Sequence, residues 1–433
     1  MFSLLSIHLP IQAFYLFIFA GLIRLLKLLW KTPFPTNAPR LVPGYPVVGA
    51  FQFFFNRAGF CHDNKAASAR GNYSYYLGQH RIVGLSGPQG RKTFFESRDL
   101  DMDEGILLLL PFAGIVRQID NPSSDTHTSC LRSTLRRALM RSQALNSTPQ
   151  VIGACTTAAL DRIAARGLIN PFQELKWLFA QTTMAALGLD EVVHFPELSR
   201  KVSDLISITA QTFPAIDLLV PPLLNPLHIP AMIAAGRLYV ITWRIIHKQK
   251  QQQHNKLHPG GEDMLHDMFE RGRRTIAIVQ GNSPTVVSWI LTGLATNAYW
   301  MARARGEVDQ VILRHRKDGE GVEQVLRSLD LQTWEHEFPV LHACLLESVR
   351  LSLLLVEFRK NISTTDVQIG DTGEIIPPGA YVTYELQETS RDPDVYPNPD
   401  RWDPGRFLSD RAEYAKEAHA FAGFGAGRRK CRE

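Results

Sequence analysis

The sequence predicts a mainly α-helical protein with a small β-rich part. Residues from about 125 to 350 show a helical pattern of apolar residues interrupted only by short loops. Two stretches, about 72–95 and 359–385, instead combine aromatic and β-branched residues with glycine and proline, which is typical of strands joined by turns. A chain of 433 residues with 45% hydrophobic residues can build a large core. We therefore expect one large helical body with a minor sheet, and a hairpin over 72–95.

Composition narrows the class of function. The net charge of +5 is small for this length and no long basic run occurs, so nucleic acid is not an expected partner. The cysteines are scattered without CxxC spacing, which argues against a disulfide framework or a zinc site and favours a reducing compartment. They are Cys61, Cys130, Cys155, Cys344 and Cys431.

The N-terminal segment predicts a single-pass membrane anchor over residues 1–30. Residues 1–23 contain no Lys, Arg, Asp or Glu, and this is about the length that crosses a bilayer. A cleaved signal peptide is the alternative, but no basic residue precedes the apolar run and no A-x-A-like site follows it. The basic residues Arg24, Lys27 and Lys31 come next, which favours a cytosolic location for the remainder. Pro10 and His8 leave a tilted or partly interfacial segment open.

Prolines mark a connector between this anchor and the main body. Residues 31–49 hold several prolines, and because proline fixes φ and lacks the backbone N–H, we expect a stiff hinge there. The body then spans residues 50–433. Near its end lies an irregular stretch rich in proline and aspartate, SRDPDVYPNPDRWDPGRF, at residues 390–407.

One helix carries charges that predict a buried ion pair. The stretch FPVLHACLLESVRLSLLLV, residues 338–356, is almost entirely apolar apart from Glu347 and Arg350, which are three residues apart and share one helix face. Such pairs are common on surfaces, but this helix is too apolar for a surface, and unpaired buried charges are very costly. We therefore expect a structural ion pair with a third partner, for which Arg406 is the candidate.

The closing stretch, FAGFGAGRRKCRE, predicts a metal-binding thiolate. A lone cysteine is usually an inert core residue. Here Gly425 and Gly427 allow close approach of the backbone, and the basic residues before Cys431 lower a thiol pKa. A thiolate with arginine nearby for a carboxylate suggests a ligand to haem iron.

Together these motifs resemble those of the cytochrome P-450 family of haem-thiolate enzymes. They are E-S-V-R at 347–350, P-G-R-F at 404–407 and F-G-A-G-R-R-K-C at 424–431. Their order and spacing are specific, and the resemblance covers essentially all of the chain beyond the anchor. It is to members of the fungal microsomal type. It implies the fold of that family, a large helical body with a small β-rich subdomain, and haem b as the cofactor.

The resemblance also implies roles for residues on the thiolate side of the haem. Cys431 is the expected iron ligand, and Glu347, Arg350 and Arg406 form the expected buried triad beneath the haem. Arg429 is expected to reach a propionate, and Phe424 to pack near the thiolate.

Further propionate contacts are expected on other segments. Arg359, just after the long helix, resembles a second propionate contact. The family also uses a Trp-x-x-x-Arg helix, but the stretch CLRSTLRRALM lacks the tryptophan, which leaves Arg132 and Arg136 as candidates.

The oxygen side departs from the family pattern. Residues 273–300 resemble the long central helix that usually presents a small residue and then an acid–alcohol pair for proton relay. Aligning Gly281 with the small residue places Thr285 at the alcohol and Pro284 at the acid. Asn282 and Ser283 are polar candidates that cannot replenish protons as an acid would. Family members that rearrange peroxides resemble this pattern, which leaves such chemistry open.

The expected substrate is a lipophilic small molecule such as a terpenoid, steroid or polyketide. It rests on the apolar stretch MDEGILLLLPFAGIV, residues 102–116, which can equally be a core segment. The other expected partners are O2, the endoplasmic reticulum membrane, and an acidic NADPH–cytochrome reductase facing the basic cluster that includes Arg428, Lys430 and Arg432.

The end of the chain adds a third hypothesis about function. Arg432 and Glu433 stand where the family has other residues before a final helix and strands, so we expect a truncated form without those elements. Three hypotheses follow: a membrane-anchored monooxygenase, an isomerase or dehydratase that acts on a hydroperoxide without reductant, and an inactive truncated remnant.

Overall fold

A computed structural model describes most of the chain. The described residues are 19, 21–23, 26, 29–109, 148–166, 169–186, 196–209, 214–217, 225–253, 273–352, 356–427 and 430.

Helices dominate the described residues, as the sequence predicted. The first group is α1 Gln52–Phe55, α2 Arg57–Ala66, α3 Gly87–Glu96, α4 Met102–Ile106, α5 Thr148–Ala164, α6 Pro171–Ala186, α7 Pro196–Thr209 and α8 Pro214–Asp217. The second group is α9 Ile229–Gln253, α10 Arg273–Thr296, α11 Ala298–His315, α12 Val322–Ser328, α13 Leu331–His336, α14 Pro339–Ser352 and α15 Leu386–Ser390. Short 3₁₀ turns lie at Pro226–His228, Pro404–Phe407 and Glu413–Ala415.

The strands form a five-stranded sheet and a small ribbon. They are β1 Tyr73–Leu77, β2 His80–Leu85, β3 Leu100–Asp101, β4 Val356–Asn361, β5 Val367–Gln368, β6 Ile375–Ile376 and β7 Tyr381–Glu385. The sheet order is β1-β2-β7-β4-β3, in which only the β2–β7 pair is parallel, and β5 pairs with β6. Strands from both ends of the body thus meet in one sheet, and both predicted strand regions contribute to it.

The predicted hairpin over 72–95 is correct only in its first half. β1 and β2 pair antiparallel with Tyr73 opposite Gly84, but residues 87–96 form the helix α3. The Gly87–Pro88 dipeptide, which the hairpin reading took as turn punctuation, begins this helix, with Ser86 in an extended conformation before it. Proline is favoured in the first helical turn because its missing N–H would have no partner there.

The helices pack as layers around α10. The helix α6 packs against α5, α7 and α10, while α10 also packs against α14. On its other side α14 contacts the turn Pro404–Phe407. The helix α14, which carries Glu347 and Arg350 of the expected triad, therefore lies between α10 and the irregular segment near the C-terminal end.

The sheet end of the body has its own aromatic core. Phe53, Tyr75 and Phe358 pack there, and Leu108 and Leu109 are packed against the same cluster. The described part of the apolar stretch 102–116 is thus core on at least this side. Residues 110–116 lie outside the described range.

The predicted anchor lies mostly outside the described residues. Within the part of the chain that the structure describes, no helix combines the length and apolar character needed to cross a bilayer. The proline-rich segment 31–49 contains no helix or strand. Two hydrogen bonds join this segment to the first hairpin. Tyr76 Oη donates to the Thr32 carbonyl at 2.8 Å, and Arg81 Nη1 donates to the Pro33 carbonyl at 3.3 Å.

Candidate active site

The helix α14 holds Glu347 and Arg350 fully buried, each with a side chain 0% exposed. Arg350 Nε donates to Glu347 Oε2 at 2.7 Å and Arg350 Nη2 to Glu347 Oε1 at 2.8 Å. This two-pronged geometry is the strongest form of a guanidinium–carboxylate pair. The remaining Arg350 donors reach the carbonyls of Ser390 and Pro399, and its guanidinium lies 4.9 Å from the centre of the Tyr396 ring.

The structure brings Arg406 to the same carboxylate. Arg406 Nε lies 3.4 Å from Glu347 Oε1, and the backbone N–H of Asp403 donates to that oxygen at 2.9 Å. Arg406 is itself buried, so all three expected triad residues meet beneath α14. We call residues 391–413 the meander, because Arg350 and Glu347 bond to its backbone at several points.

The sequence analysis missed a fourth charged member, Glu413. Arg406 Nη1 donates to Glu413 Oε2 at 2.8 Å, and Arg411 binds the other oxygen. Arg411 Nη1 also donates to Asp403 Oδ2 at 2.7 Å. Burial alone would raise the pKa of both carboxyls, but Arg411, with help from Arg406, holds the pKa of Asp403 and of Glu413 below the usual range. The only available signal was an acid seven residues after Arg406.

A second missed contact joins the meander to the central helix. Trp402 Nε1 donates to the hydroxyl of Ser348 on α14 at 3.0 Å. The Trp402 ring lies so close to Gly293 on α10 that an added Cβ would meet it at 2.5 Å. Glycine is therefore required at 293 for this approach, and Trp402 spans α10 and α14.

The helix α10 contains the expected oxygen-side residues. Pro284 lies inside the helix and is buried, Ser283 is half-buried, and Thr285 is exposed. Because proline has no N–H, the carbonyl one turn before it loses its helical donor. One turn later the buried Ser288 hydroxyl donates to the Pro284 carbonyl at 2.8 Å. No carboxylate occurs in α10 from Arg273 to Thr296, which agrees with the departure noted in the sequence.

Two glycines form the turn in the backbone just before the expected ligand Cys431. Gly425 and Gly427 have φ values of 74° and 59°, the left-handed region that side chains disfavour. Phe424 lies 6.2 Å from Phe421 by ring centroids, and Phe421 packs against Phe407 of the meander at 5.1 Å. We call residues 417–431 the cysteine loop. Through these rings it rests on the meander.

Arg359 lies on β4 and is 1% exposed. Its Nη2 and Nε donate to Glu357 Oε1 at 3.1 and 3.2 Å. Its guanidinium lies 4.4 Å from the centre of the Phe94 ring and 5.3 Å from that of Phe95. Arg359 is thus a buried arginine that pairs with one carboxylate beside two aromatic rings, and it remains a candidate for a propionate contact.

Several expected site residues lie outside the described range. These are Cys431, Arg429, Arg132 and Arg136, together with the side chain of Asn282.

The described residues fit the haem that the resemblance implies. Haem needs a close backbone approach, a cation for its propionates and a thiolate. Among the described residues, Gly425 and Gly427 are the candidates for the first and Arg359 is the candidate for the second. Burial raises the pKa of the Cys61 thiol to about 11 and that of Cys344 to about 12, and it also raises the pKa of Cys155. These three thiols are therefore neutral, unlike a metal ligand. Among the described residues, no three His, Cys, Asp or Glu side chains form a competing metal site.

Comparison with known proteins finds a matching family model and similar fungal enzymes. The family model for cytochrome P-450 matches residues 280–432, which include most of α10 and all of α14, the meander and the cysteine loop. Cytochrome P-450 monooxygenase AacuE of Aspergillus aculeatus is 26% identical over 413 residues, 91% of this chain and 82% of that protein. Cytochrome P-450 monooxygenase nsrP of Aspergillus novofumigatus is 27% identical over 382 residues, 84% of this chain and 73% of that protein.

A solved structure shows the same fold. Retinoic acid bound cyanobacterial CYP120A1 superposes with a TM-score of 0.67 at 19% identity, over 92% of this chain and 88% of that one. The matched family model and the relatives along most of the chain support a member of the cytochrome P-450 family, whose members are enzymes that hold a haem through a cysteine thiolate, and the solved structure shows the shared fold.

Proposed function

We propose that this chain is a haem-dependent monooxygenase that inserts one oxygen atom from O2 into a lipophilic small molecule, with electrons that originate from NADPH. The observation that carries the proposal is the buried cluster of Glu347, Arg350 and Arg406, which fastens the meander under α14. The cysteine loop rests on that meander. The curated relatives named monooxygenases support the reaction type.

Individual residues have different proposed roles on the thiolate side of the haem. Cys431 is the proposed iron ligand, and its thiolate donates electron density to the iron. Arg359 and Arg429 pair with the propionates, with Arg132 and Arg136 as further candidates. Phe424, Gly425 and Gly427 shape the loop against the cofactor face. When bound, the haem supplies the reductive activation of O2.

On the oxygen side, Thr285 Oγ1 is the proposed proton donor. Thr285 is an exposed residue of α10 at the position where the family has its alcohol. Because Pro284 stands where an acid would replenish that proton, the supply must come through solvent or through the polar neighbours Asn282 and Ser283. This predicts slower proton delivery than an acid–alcohol pair would give.

The substrate, partners and location form the finer part of the proposal. We assign a terpenoid, steroid or polyketide of fungal secondary metabolism as substrate, since the relatives along most of the chain are fungal enzymes. We assign NADPH–cytochrome reductase as the electron donor. We place the body on the cytosolic face of the endoplasmic reticulum, tethered by residues 1–30, because of the uncharged run at 1–23 and the basic residues after it.

Expression of the whole chain in membranes with a reductase tests the proposal. The carbon monoxide difference spectrum of reduced membranes is expected to show a thiolate-type Soret maximum, and Cys431→Ser to abolish it. A lipophilic substrate library should then yield hydroxylated products only when both NADPH and O2 are present. A normal spectrum with products that need neither would contradict the monooxygenase.

A hydroperoxide isomerase or dehydratase is the second candidate, and Pro284 favours it. Such an enzyme consumes an oxygen already activated in its substrate and therefore needs no acid to relay protons to O2. Incubation with fatty-acid hydroperoxides and no reductant tests it. Rapid conversion of the hydroperoxide without NADPH would select this function over the first.

A further inference from the structure

The helix α3 touches the sheet on one side and the cysteine loop on another. It packs against β2 and β7, and its Phe94 and Phe95 side chains are completely buried. The same core cluster includes Ala426 of the cysteine loop. This short helix thus belongs to one core together with residues of β2, of β7 and of the cysteine loop.

The end of α3 meets the backbone of the cysteine loop. A Cβ added at Gly427 would lie 2.5 Å from the Phe95 carbonyl oxygen. The Phe95 ring also lies 5.5 Å from the His419 ring. Two points of the loop, eight residues apart, therefore rest on one residue of the helix.

Two ion pairs flank this contact. Arg91, one helical turn before Phe95, is 4% exposed and binds Glu417, while its Nη1 donates to Thr389 Oγ1 at 2.6 Å. Glu96 Oε1 accepts from His419 Nε2 at 2.9 Å. His419 has a φ of 58°, which is unfavourable for a residue other than glycine and persists where neighbours enforce it.

Phe95 also faces the buried arginine on β4. Its ring centre lies 5.3 Å from the Arg359 guanidinium, and that of Phe94 lies 4.4 Å from it. The Phe95 side chain therefore stands between the cysteine loop and the cation assigned to a propionate.

We propose that Phe95 is a positioning residue that fixes the cysteine loop relative to Arg359. The inference rests on the proposed roles of Cys431 and Arg359 at the haem. Since Phe95 lies against Gly427 and His419 of the cysteine loop and also against Arg359, its ring and carbonyl set the separation of the loop from Arg359 before any cofactor arrives. The ion pairs of Arg91 and Glu96 hold the loop in register against it.

Two matched variants test the proposal in the full chain. Phe95→Leu removes the ring that contacts His419, whereas Phe94→Leu makes the same change in the neighbouring side chain, which lies against Tyr384 and Arg359. Both remove similar volume from the same core, so their unfolding midpoints should fall alike. Glu96→Gln, a change at a half-exposed carboxylate, loosens the loop without opening the core.

Hydrogen exchange by mass spectrometry gives a readout that does not depend on activity. We expect residues 417–427 to exchange about tenfold faster in Phe95→Leu than in Phe94→Leu, with Glu96→Gln between them. In the reduced carbon monoxide spectrum, Phe95→Leu should lose a larger share of the thiolate-type Soret band than Phe94→Leu. Equal exchange and equal spectra in the two leucine variants would overturn the proposal.

These outcomes separate this inference from the proposed function. If the unaltered chain shows no haem signal, the exchange comparison still decides whether Phe95 holds the loop. If Phe95→Leu loosens the loop but keeps the full thiolate band, the positioning role is wrong while the monooxygenase proposal stands.

Discussion

The meander and the central helix α10 flank α14, but different forces hold them. Hydrogen bonds between buried charged groups hold the meander in place. Glu347 accepts hydrogen bonds from Arg350 and from the backbone N–H of Asp403, and Glu413 accepts one from Arg406. The segment of α10 around Pro284 is held by its own hydroxyl bonds, such as Ser288 to the Pro284 carbonyl and Thr292 to the Ser288 carbonyl.

This difference indicates a division between rigidity and chemistry. Buried ion pairs held by several hydrogen bonds resist displacement, because moving one member leaves another unpaired in an apolar interior. A proline within a helix leaves a backbone acceptor open and permits a local bend. We infer that the thiolate side is built for fixed geometry and the oxygen side for adaptable hydrogen bonding.

The largest expected effect follows from Glu347→Gln. The change preserves the shape but leaves the buried Arg350 and Arg406 without their shared counter-charge, so the free energy of unfolding should fall by about 3–5 kcal/mol. Urea unfolding of the purified chain, with haem content measured in parallel, checks this. Glu337→Gln is the matched control, because Glu337 pairs with Arg314 at 2.7 Å in a partly exposed position and should cost under ~1 kcal/mol. Equal losses in the two variants would remove the contrast between the meander and ordinary surface pairs.

Thr285→Val is expected to have the next effect, on activity instead of stability. Loss of the hydroxyl should slow product formation driven by NADPH and O2 by about 100-fold, the scale of general acid catalysis. The carbon monoxide spectrum should not change. Thr292→Val serves as control, because it makes the same change seven residues further along α10. If both variants keep full turnover, α10 has no role in proton delivery through Thr285.

Gly293→Ala tests a close contact between the two regions. Its Cβ would press on the Trp402 ring at 2.5 Å, so overpacking should lower the free energy of unfolding by about 1–3 kcal/mol. Gly306→Ala on α11 has open space around the new Cβ and should instead stabilise by up to ~1 kcal/mol. Adding Trp402→Phe to Gly293→Ala should recover part of the loss in thermal unfolding. A neutral Gly293→Ala would mean that α10 and the meander move independently.

The sequence was most informative where a residue type contradicted its surroundings. Glu347 and Arg350 were predictable as a pair because two charges in an otherwise apolar helix must find partners. Glu413 was not, since it lies in a polar stretch whose closeness to Arg406 arises only from the turn at Pro404–Phe407. In the same way Pro284 could be recognised as a departure, but the hydroxyl bond from Ser288 depends on helix geometry.

Contacts through aromatic rings and glycines were the least predictable. No pattern in FFE at residues 94–96 shows that it meets a loop more than three hundred positions later. Gly87 and Pro88 were assigned to a turn because the same dipeptide marks turns and helix starts, and tertiary packing decides between them. Long-range registration of this kind is set by the sheet, in which β2 pairs with β7 in parallel.

The smallest expected effect is a difference in acid sensitivity between the two regions. The pKa of Glu413 in the folded chain lies below its ordinary value of 4.5, so the unfolded state binds more protons as the pH falls through that region. The stability that Glu413 contributes is therefore complete above pH 4.5 and is lost as the pH falls toward the depressed value; Asp403 acts in the same direction. The helix α10 has no carboxylate, so its own side chains add no pH dependence of stability in this range.

Urea unfolding across the acid range should show that Glu413→Gln is less stable than the unaltered chain at neutral pH and that this difference in the free energy of unfolding closes in acid. The exposed control Glu335→Gln should follow the unaltered chain throughout. A gap for Glu413→Gln that stays constant with pH would show that the charge of Glu413 is not what fastens the meander.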